Sequence, residues 1–506
     1  MTALVPLPVV IPLLGAAVTL TLTRFPQAQR LVSLAALSAV LGVAIALLVV
    51  VCVDGTQVVA VGAWPVPIGI VLVADQFSAL MLVVSAAVTL CVLVYSIGQG
   101  LADGSEDTPL SIYHPSYLVL TAGVTTAFLS GDLFNLYVGF EILLVASYVL
   151  ITVGGTEDRI RAGTTYVVVS LLSSVLFLTG VGLVYAAAGT LNLAQLAGRL
   201  DALPDGLRLM LNCVLLLAFG IKAAVFPLSA WLPDSYPTAL APVTAVFAGL
   251  LTKVGLYAII RVETLLFPGG PTRDLLLVLA LLTMLVGILG AIAQSDVKRL
   301  LSFTLVSHIG YMLFGIGLAN ELGVSSAIFY VVHHITIQTT LFLVVGLVER
   351  YGGATALDRL GGLAALSPLL GVLFFVPAMN LAGIPPFSGF LGKLGLIEAG
   401  ASAGGGLRWA LVAGALATSL LTLYAVARVW NLAFWRKPVT TRAEAAQTEG
   451  GPALPRLMVG STIALVVLGV ALTGIAGPLF DLTGDAAADL LERAPYVDAV
   501  RGEGIR

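Results

Sequence analysis

The chain has 506 residues, 59% of them hydrophobic and only 10% charged, at a mean hydropathy of +1.06. A soluble surface needs about 25% charged residues, so this composition excludes a soluble enzyme and any nucleic-acid-binding module, and implies a polytopic membrane protein. The net charge of −3 says little, because the charges sit almost entirely between apolar runs.

A membrane span needs about 20 apolar residues. Candidates in chain order are 3–23, 31–53, 76–98, 112–130, 132–153, 163–187, 208–229, 238–261, 274–294, 299–318, 323–348, 366–399, 407–435 and 455–477. The fold class is therefore all-α and polytopic, with about fourteen helices. MTALVPLPVVIPLLG has no positive stretch before its apolar run, so it is read as a retained first span and not a cleaved signal. Segment 54–75 is short, alternating and rich in Gly and Pro, which predicts a small β-hairpin outside the bilayer. Segment 438–453 is a polar loop, and the tail from Phe480 to Arg506 is a peripheral helix or a frayed end. Cys52, Cys91 and Cys213 have neither metal nor disulfide spacing.

Lysine and arginine in short loops set orientation. With the N-terminus outside, the cytoplasmic loops hold Arg24, Arg30, Arg159, Arg161, Lys298, Arg299, Arg350, Arg359, Arg436, Lys437 and Arg442. The outer loops then hold only Arg199, Arg208, Arg261, Arg273 and Arg408, so both termini are expected outside.

Two spans are interrupted. Span 208–229 breaks at Pro227, and span 366–399 at Ile384-Pro385-Pro386. An odd number of spans separates the breaks, so the two helices enter the membrane in opposite directions. Matching broken helices in inverted halves point to a transport site. The expected organisation is 1–111 (three helices and the hairpin), 112–261 and 273–435 (two inverted five-helix repeats, with helices seven and twelve broken), then 455–506 (a last helix and tail). Proline removes a backbone donor and frees carbonyls, which protein or cavity water must satisfy in lipid.

Charges inside the spans carry the functional reading. Three of the five lysines, Lys222, Lys253 and Lys393, fall within apolar runs, and among the 27 acidic residues only Glu141 sits near a span centre. A charge there costs about 2.5 to 3.5 kcal/mol on insertion scales and typically marks an ion or proton pathway. Static ion pairing and snorkelling are the bland alternatives. Lys222 and Lys253 lie about ten residues from a span end, too deep to snorkel at about 1.5 Å per residue. Glu141 is expected to pair with Lys222. His308 lies about as deep in its span as Glu141 does in its own, as inverted counterparts would. His334 and Gln338, at i and i+4, share a face. Histidine titrates near neutrality and suits a relay, whereas His333 fits a helix-to-helix hydrogen bond equally well. Asp132 is expected to cap a helix, and Asp234 to form a turn. No metal or cofactor is implied, because no ligand cluster, Walker loop or dinucleotide fingerprint is found.

Five stretches carry a resemblance: DLFNLYVGFEILLVASY around Glu141, FGIKAAVFPLSAWLPDSYP around Lys222, APVTAVFAGLLTKVGLYAIIR around Lys253, SHIGY around His308, and PPFSGFLGKLGLIEAG around Lys393. The sequence resembles the antiporter-like membrane subunits shared by Mrp-type cation/proton antiporters and respiratory complex I. The resemblance implies a coupled pair at Glu141 and Lys222, a central relay at Lys253 and a far exit at Lys393. It also implies a secondary ion transporter subunit and not an enzyme. Its partners would be the other membrane subunits of an Mrp complex (A, B, C, E, F and G), with H⁺ and Na⁺ as the ions. The alternative is an N-type proton-pumping subunit of complex I. One departure stands out: many relatives carry a lysine where this chain has Gln338. Glutamine orients water but does not titrate, so the relay between Lys253 and Lys393 would rest on His334, His308 and water.

Overall fold

The computed structural model describes residues 2–66, 68–100, 110–437 and 454–503. The described residues are 82% helical. Among the described residues, twelve helices are long and apolar enough to cross a bilayer. The chain opens with α1 (Leu7–Thr21) and α2 (Pro26–Asp54). A two-stranded antiparallel sheet follows, β1 (Gln57–Ala60) with β2 (Val71–Ala74), Gln57 facing Ala74. Next come α3 (Gln76–Gln99), α4 (Tyr113–Leu129), α5 (Leu133–Thr152), α6 (Glu157–Ala188), the short α7 (Leu193–Asp201), α8 (Asp205–Ala223) and the one-turn α9 (Trp231–Ser235). Helix α10 (Ala241–Leu265) contains a π-turn at Phe247–Leu251. The second half holds α11 (Thr272–Ile292), α12 (Val297–Leu318), α13 (Glu321–Gly352), α14 (Pro368–Ala382), α15 (Ser388–Ala403) and α16 (Gly406–Trp435). It closes with α17 (Arg456–Gly474), α18 (Ala476–Glu492) and α19 (Ala494–Glu503).

Local sequence explains where these helices start. Asp75, Asp132, Asn192, Asp296 and Asn320 each stand in extended backbone and accept a backbone N–H from the first turn that follows, satisfying donors a helix start leaves free. Asp132 thus caps α5, as its position suggested. Asp234 lies in the single turn of α9 and forms an exposed ion pair with Arg299 (2.8 Å). The most deeply enclosed spans are α10, α12 and α13, buried over 100%, 94% and 100% of their most apolar stretch. They are the helices that carry Lys253 and His308, His333, His334 and Gln338.

One backbone device occurs twice. Leu133 N–H donates to Leu191 O and Leu193 N–H to Gly131 O, both at 3.0 Å. Elsewhere, Val297 N–H donates to Thr355 O (3.0 Å) and Leu357 N–H to Ser295 O (2.8 Å). All four partners differ by one constant register shift. The same shift takes Gly123, pressed on the backbone of Leu143, to Gly287, pressed on that of Ser307, where an added methyl would collide. This register pairs Glu141 with Leu305 and Leu144 with His308. Glu141 and His308 are therefore one helical turn out of register, which corrects the expectation that they are counterparts.

The tail is not frayed. Phe480 stacks on Phe329 (4.1 Å between centroids), and Ser325 hydrogen-bonds Thr483 (2.9 Å). Arg493 at the start of α19 forms an ion pair with Asp201 (2.9 Å) and donates to Ala197 O. The apolar face of α18 supplies the missing adhesion. The proposed polar loop 438–453 and Arg506 lie outside the described residues.

Candidate functional site

The first break follows from Pro227. Helix α8 stops at Ala223, and Ala224 closes it in the left-handed conformation (φ 57°) ahead of a cis Phe226–Pro227 bond. The loosened carbonyl of Ile221 accepts the Trp231 indole N–H (3.1 Å). Lys222, in the last turn, is 8% exposed. Its Nζ donates to Ser170 O (3.2 Å) and Ser174 Oγ (3.3 Å) on α6. Glu141 does not touch it: the expected direct pair is absent, and Glu141 Oε1 is buried with no partner among the described residues. Glu141 is nevertheless the charged group whose field reaches Lys222. The two residues sit on different helices, and the α6 serines come closer. A small cavity of about 10 Å³, lined by Lys222, Ser170, Tyr166, Trp231, Tyr236 and Leu251, lies beside Lys222 and reaches toward α10. That is room for about one water.

Lys253 is fully buried, and its Nζ donates to Ala248 O at 2.6 Å. Ala248 lies in the π-turn, and such a turn interrupts the regular helical ladder, which leaves that carbonyl open to the lysine. Gly249 in the same turn presses on Thr339 and the Ile335 carbonyl of α13, so a side chain there would push α13 away. The turn thus brings α10 close to the histidine helix.

Four aromatic rings lead onward. The His334 and His308 rings are 5.2 Å apart, and His308 Nδ1 shares a 2.8 Å hydrogen bond with Tyr330 OH. Tyr330 faces Tyr311 at 5.5 Å, and Lys393 Nζ sits over the Tyr311 ring at 5.0 Å. Both His334 nitrogens and His308 Nε2 are buried without a partner among the described residues. Such groups normally bind water. His333 bonds Ser388 Oγ across helices at 3.0 Å, the arrangement its position allowed. Gln338 Nε2 is tied to Leu301 O at 2.8 Å, while its Oε1 is unpartnered among the described residues. Sequence reading missed Tyr311 and Tyr330, because tyrosines at helical spacing look like core.

The second break repeats the first in backbone only. Helix α14 ends at Ala382, Gly383 takes the left-handed conformation (φ 83°), and Pro385–Pro386 is cis. Superposing the two caps sets Pro227 on Pro386 and Ser229 on Ser388. It sets Lys393 on Asp234, not on Lys222. Lys393 reaches back to the freed carbonyls Leu381 O (3.1 Å) and Ala382 O (2.9 Å), and to Ser419 Oγ (3.2 Å). A cation at the carbonyl end of a helix meets a favourable dipole. An apolar groove of about 1230 Å³ between α14 and α16 is lined by Phe375, Met379, Tyr424, Arg428, Trp430 and Trp435 and touches none of these charges.

Two further buried charges on α10 escaped the sequence reading. Arg261, assigned there to an outer loop, is 3% exposed on α10. It grips Asp75 at 2.5 and 3.0 Å, bonds Tyr257 OH at 3.0 Å, and lies over the Phe77, Tyr257 and Tyr496 rings. Burial alone would raise the Asp75 carboxyl, but the Arg261 guanidinium outweighs it and holds that carboxyl below its usual range. Glu263 follows on the same helix, 8% exposed. The span was drawn to end at 261, so both residues were read as loop. Among the described residues no group of three or more His, Cys, Asp or Glu could hold a metal ion.

Comparison with known proteins agrees with this architecture. The chain is 39% identical over 506 residues, 99% of its length and 100% of the relative's, to the D-type Na⁺/H⁺ antiporter subunit of Alkalihalophilus pseudofirmus. It is 38% identical to the Bacillus subtilis protein of the same name, over 98% and 99% of the two chains. A chain in the solved Mrp complex from Dietzia sp. superposes with a TM-score of 0.90 at 34% identity, covering 99% of this chain and 100% of that one. Residues 130–422, which contain both breaks and all three mid-span lysines, match the transmembrane family described as NADH:quinone oxidoreductase/Mrp antiporter. The chain is a multi-pass membrane protein that belongs to the NADH:quinone oxidoreductase/Mrp antiporter family.

Proposed function

We propose that this chain is the D-type, proton-translocating subunit of a multisubunit Na⁺/H⁺ antiporter in a bacterial cell membrane. It works beside the other membrane subunits of an Mrp-type complex. The observation that carries the reading is the polar row through the enclosed helices. Lys253 stands at a π-turn, His334, His308, Tyr330 and Tyr311 follow in ring contact, and Lys393 closes the row at the second break. Lysine and histidine gain and lose protons, and waters on the unpartnered nitrogens complete the relay. Glu141 and Lys222 form the uptake end, coupled through field and water because they do not touch. Gln338 orients the route without titrating.

The twin ladders and twin left-handed caps support two inverted repeats, 112–261 and 273–435. The twelve long helices, with α4 and the broken α14–α15, support fourteen spans, an even number that keeps both termini on one side, and the loop charge bias makes that side the outside. The complex I alternative is less specifically supported: the family description covers it, while the full-length relatives above are named as antiporter subunits. The test is sodium- and pH-gradient transport in vesicles holding the whole complex. Glu141→Ala in an assembled complex abolishes exchange on this reading; wild-type exchange rejects it.

A further inference from the structure

A second constellation lies away from the relay, where the ends of α8, α10 and α11 meet on the hairpin side. Asn212, Glu263 and Thr272 are 2%, 8% and 2% exposed. Asn212 Nδ2 donates to Thr272 Oγ1 (2.9 Å), and Thr272 Oγ1 donates to Glu263 Oε2 (3.3 Å). That chain uses the only hydroxyl hydrogen. Two oxygens remain, Asn212 Oδ1 and Glu263 Oε1, both buried with no partner among the described residues. Buried acceptors normally find a partner in protein, water or an ion. Asn212 also forms part of the wall of an open vestibule of about 510 Å³, together with Asp205, Arg208, Phe267, Gly270 and Pro271.

Arg208 pairs with Asp201 at 3.1 Å. Arg273 is the guanidinium nearest in effect to Glu263, but it donates to Leu318 O (2.5 Å) and forms no ion pair with the carboxylate. The carbonyl end of α10 and the amide end of α11 meet here, so their dipoles offset. Glu263 is the carboxylate of this cluster, and Arg273, bonded to a neutral carbonyl, is the cation whose charge bears on it. A carboxylate oxygen, an amide oxygen and a hydroxyl, with Asn212 on the vestibule wall, form a hard oxygen set suited to an alkali cation and unsuited to soft metals.

We infer that Glu263, Asn212 and Thr272 form a sodium-binding site on the hairpin side of this subunit. The inference rests on the antiporter reading for the identity of the ion, and it is distinct from the proton row. The site would hold Na⁺ as it meets the complex from the vestibule, with water completing its shell.

The experiment uses the purified whole complex and carbodiimide labelling of Glu263, read by peptide mass spectrometry. With Na⁺ at about ten times its dissociation constant, labelling slows about tenfold relative to choline at the same ionic strength. Labelling that ignores Na⁺ but follows pH overturns the site and leaves a protonating carboxyl. In ²²Na⁺ equilibrium binding, Asn212→Ala weakens the site by about tenfold or more; unchanged binding in the assembled variant overturns it. The wild-type labelling decides the question even where a variant fails to assemble. Lys253→Ala retains the site while losing transport, so failure of the sodium site and failure of the proton relay give different results.

Discussion

Two sets of buried charge stand on the same helix, α10, and they are built differently. Arg261 has a carboxylate at hydrogen-bond distance on two of its nitrogens, a phenol, and three aromatic rings around it. Lys253, about two turns away, has one backbone carbonyl. Lys222 and Lys393 likewise rest on hydroxyls and carbonyls, with no carboxylate in contact among the described residues. A fully paired buried charge gains little by moving and acts as a tie between α3, α10 and α19. A buried lysine without a counter-ion sits where a proton can leave at modest cost, which is what a relay needs.

The contrast yields ordered expectations. Arg261→Gln strands the Asp75 carboxylate and costs about 3–5 kcal/mol, read as a lowered midpoint in thermal unfolding of the purified complex. Whatever folds still exchanges ions. A stable but inactive Arg261→Gln would reverse the comparison. Lys393→Ala abolishes exchange and leaves the Leu381 carbonyl bare, while Ala382 O keeps Ser419 Oγ (2.7 Å), at about 1–3 kcal/mol. Lys222→Met also abolishes exchange, yet shifts stability by less than about 1 kcal/mol, because it removes a desolvated charge whose direct contacts are the neutral Ser170 O and Ser174 Oγ. Lys222→Met that is active, or that unfolds the subunit, would place Lys222 with the structural charges. His333→Gln is the mildest change: the bond to Ser388 is worth about 1 kcal/mol, and exchange persists.

The contrast also marks where sequence is legible. Helix starts and breaks are local, fixed by side chains within a turn of the event. Asp132 announced the cap of α5, and Pro227 and Ile384-Pro385-Pro386 announced the two breaks. The hairpin was equally plain, since alternation and turn residues lie side by side. Which side chains meet is not local. Lys222 was matched to Glu141 because both were deep and opposite in sign, but Ser170 and Ser174 on the intervening α6 lie closer. Arg261 looked like a loop cation because its counter-ion, Asp75, stands far away in sequence at a helix cap that reads as capping alone. The π-turn under Lys253 has no compositional mark; it follows from packing against Thr339. Tyr311 and Tyr330 differ from ordinary core tyrosines only by the histidine and lysine beside them.

Lys253 is the charge at the centre of the enclosed helices, and the relay stands or falls with it. Lys253→Met keeps the side-chain volume and removes the proton. Proton flux under an imposed sodium gradient, measured in vesicles carrying the fully assembled Lys253→Met complex, is predicted to fall to the level of empty vesicles. Flux at the wild-type rate would contradict a lysine-borne relay.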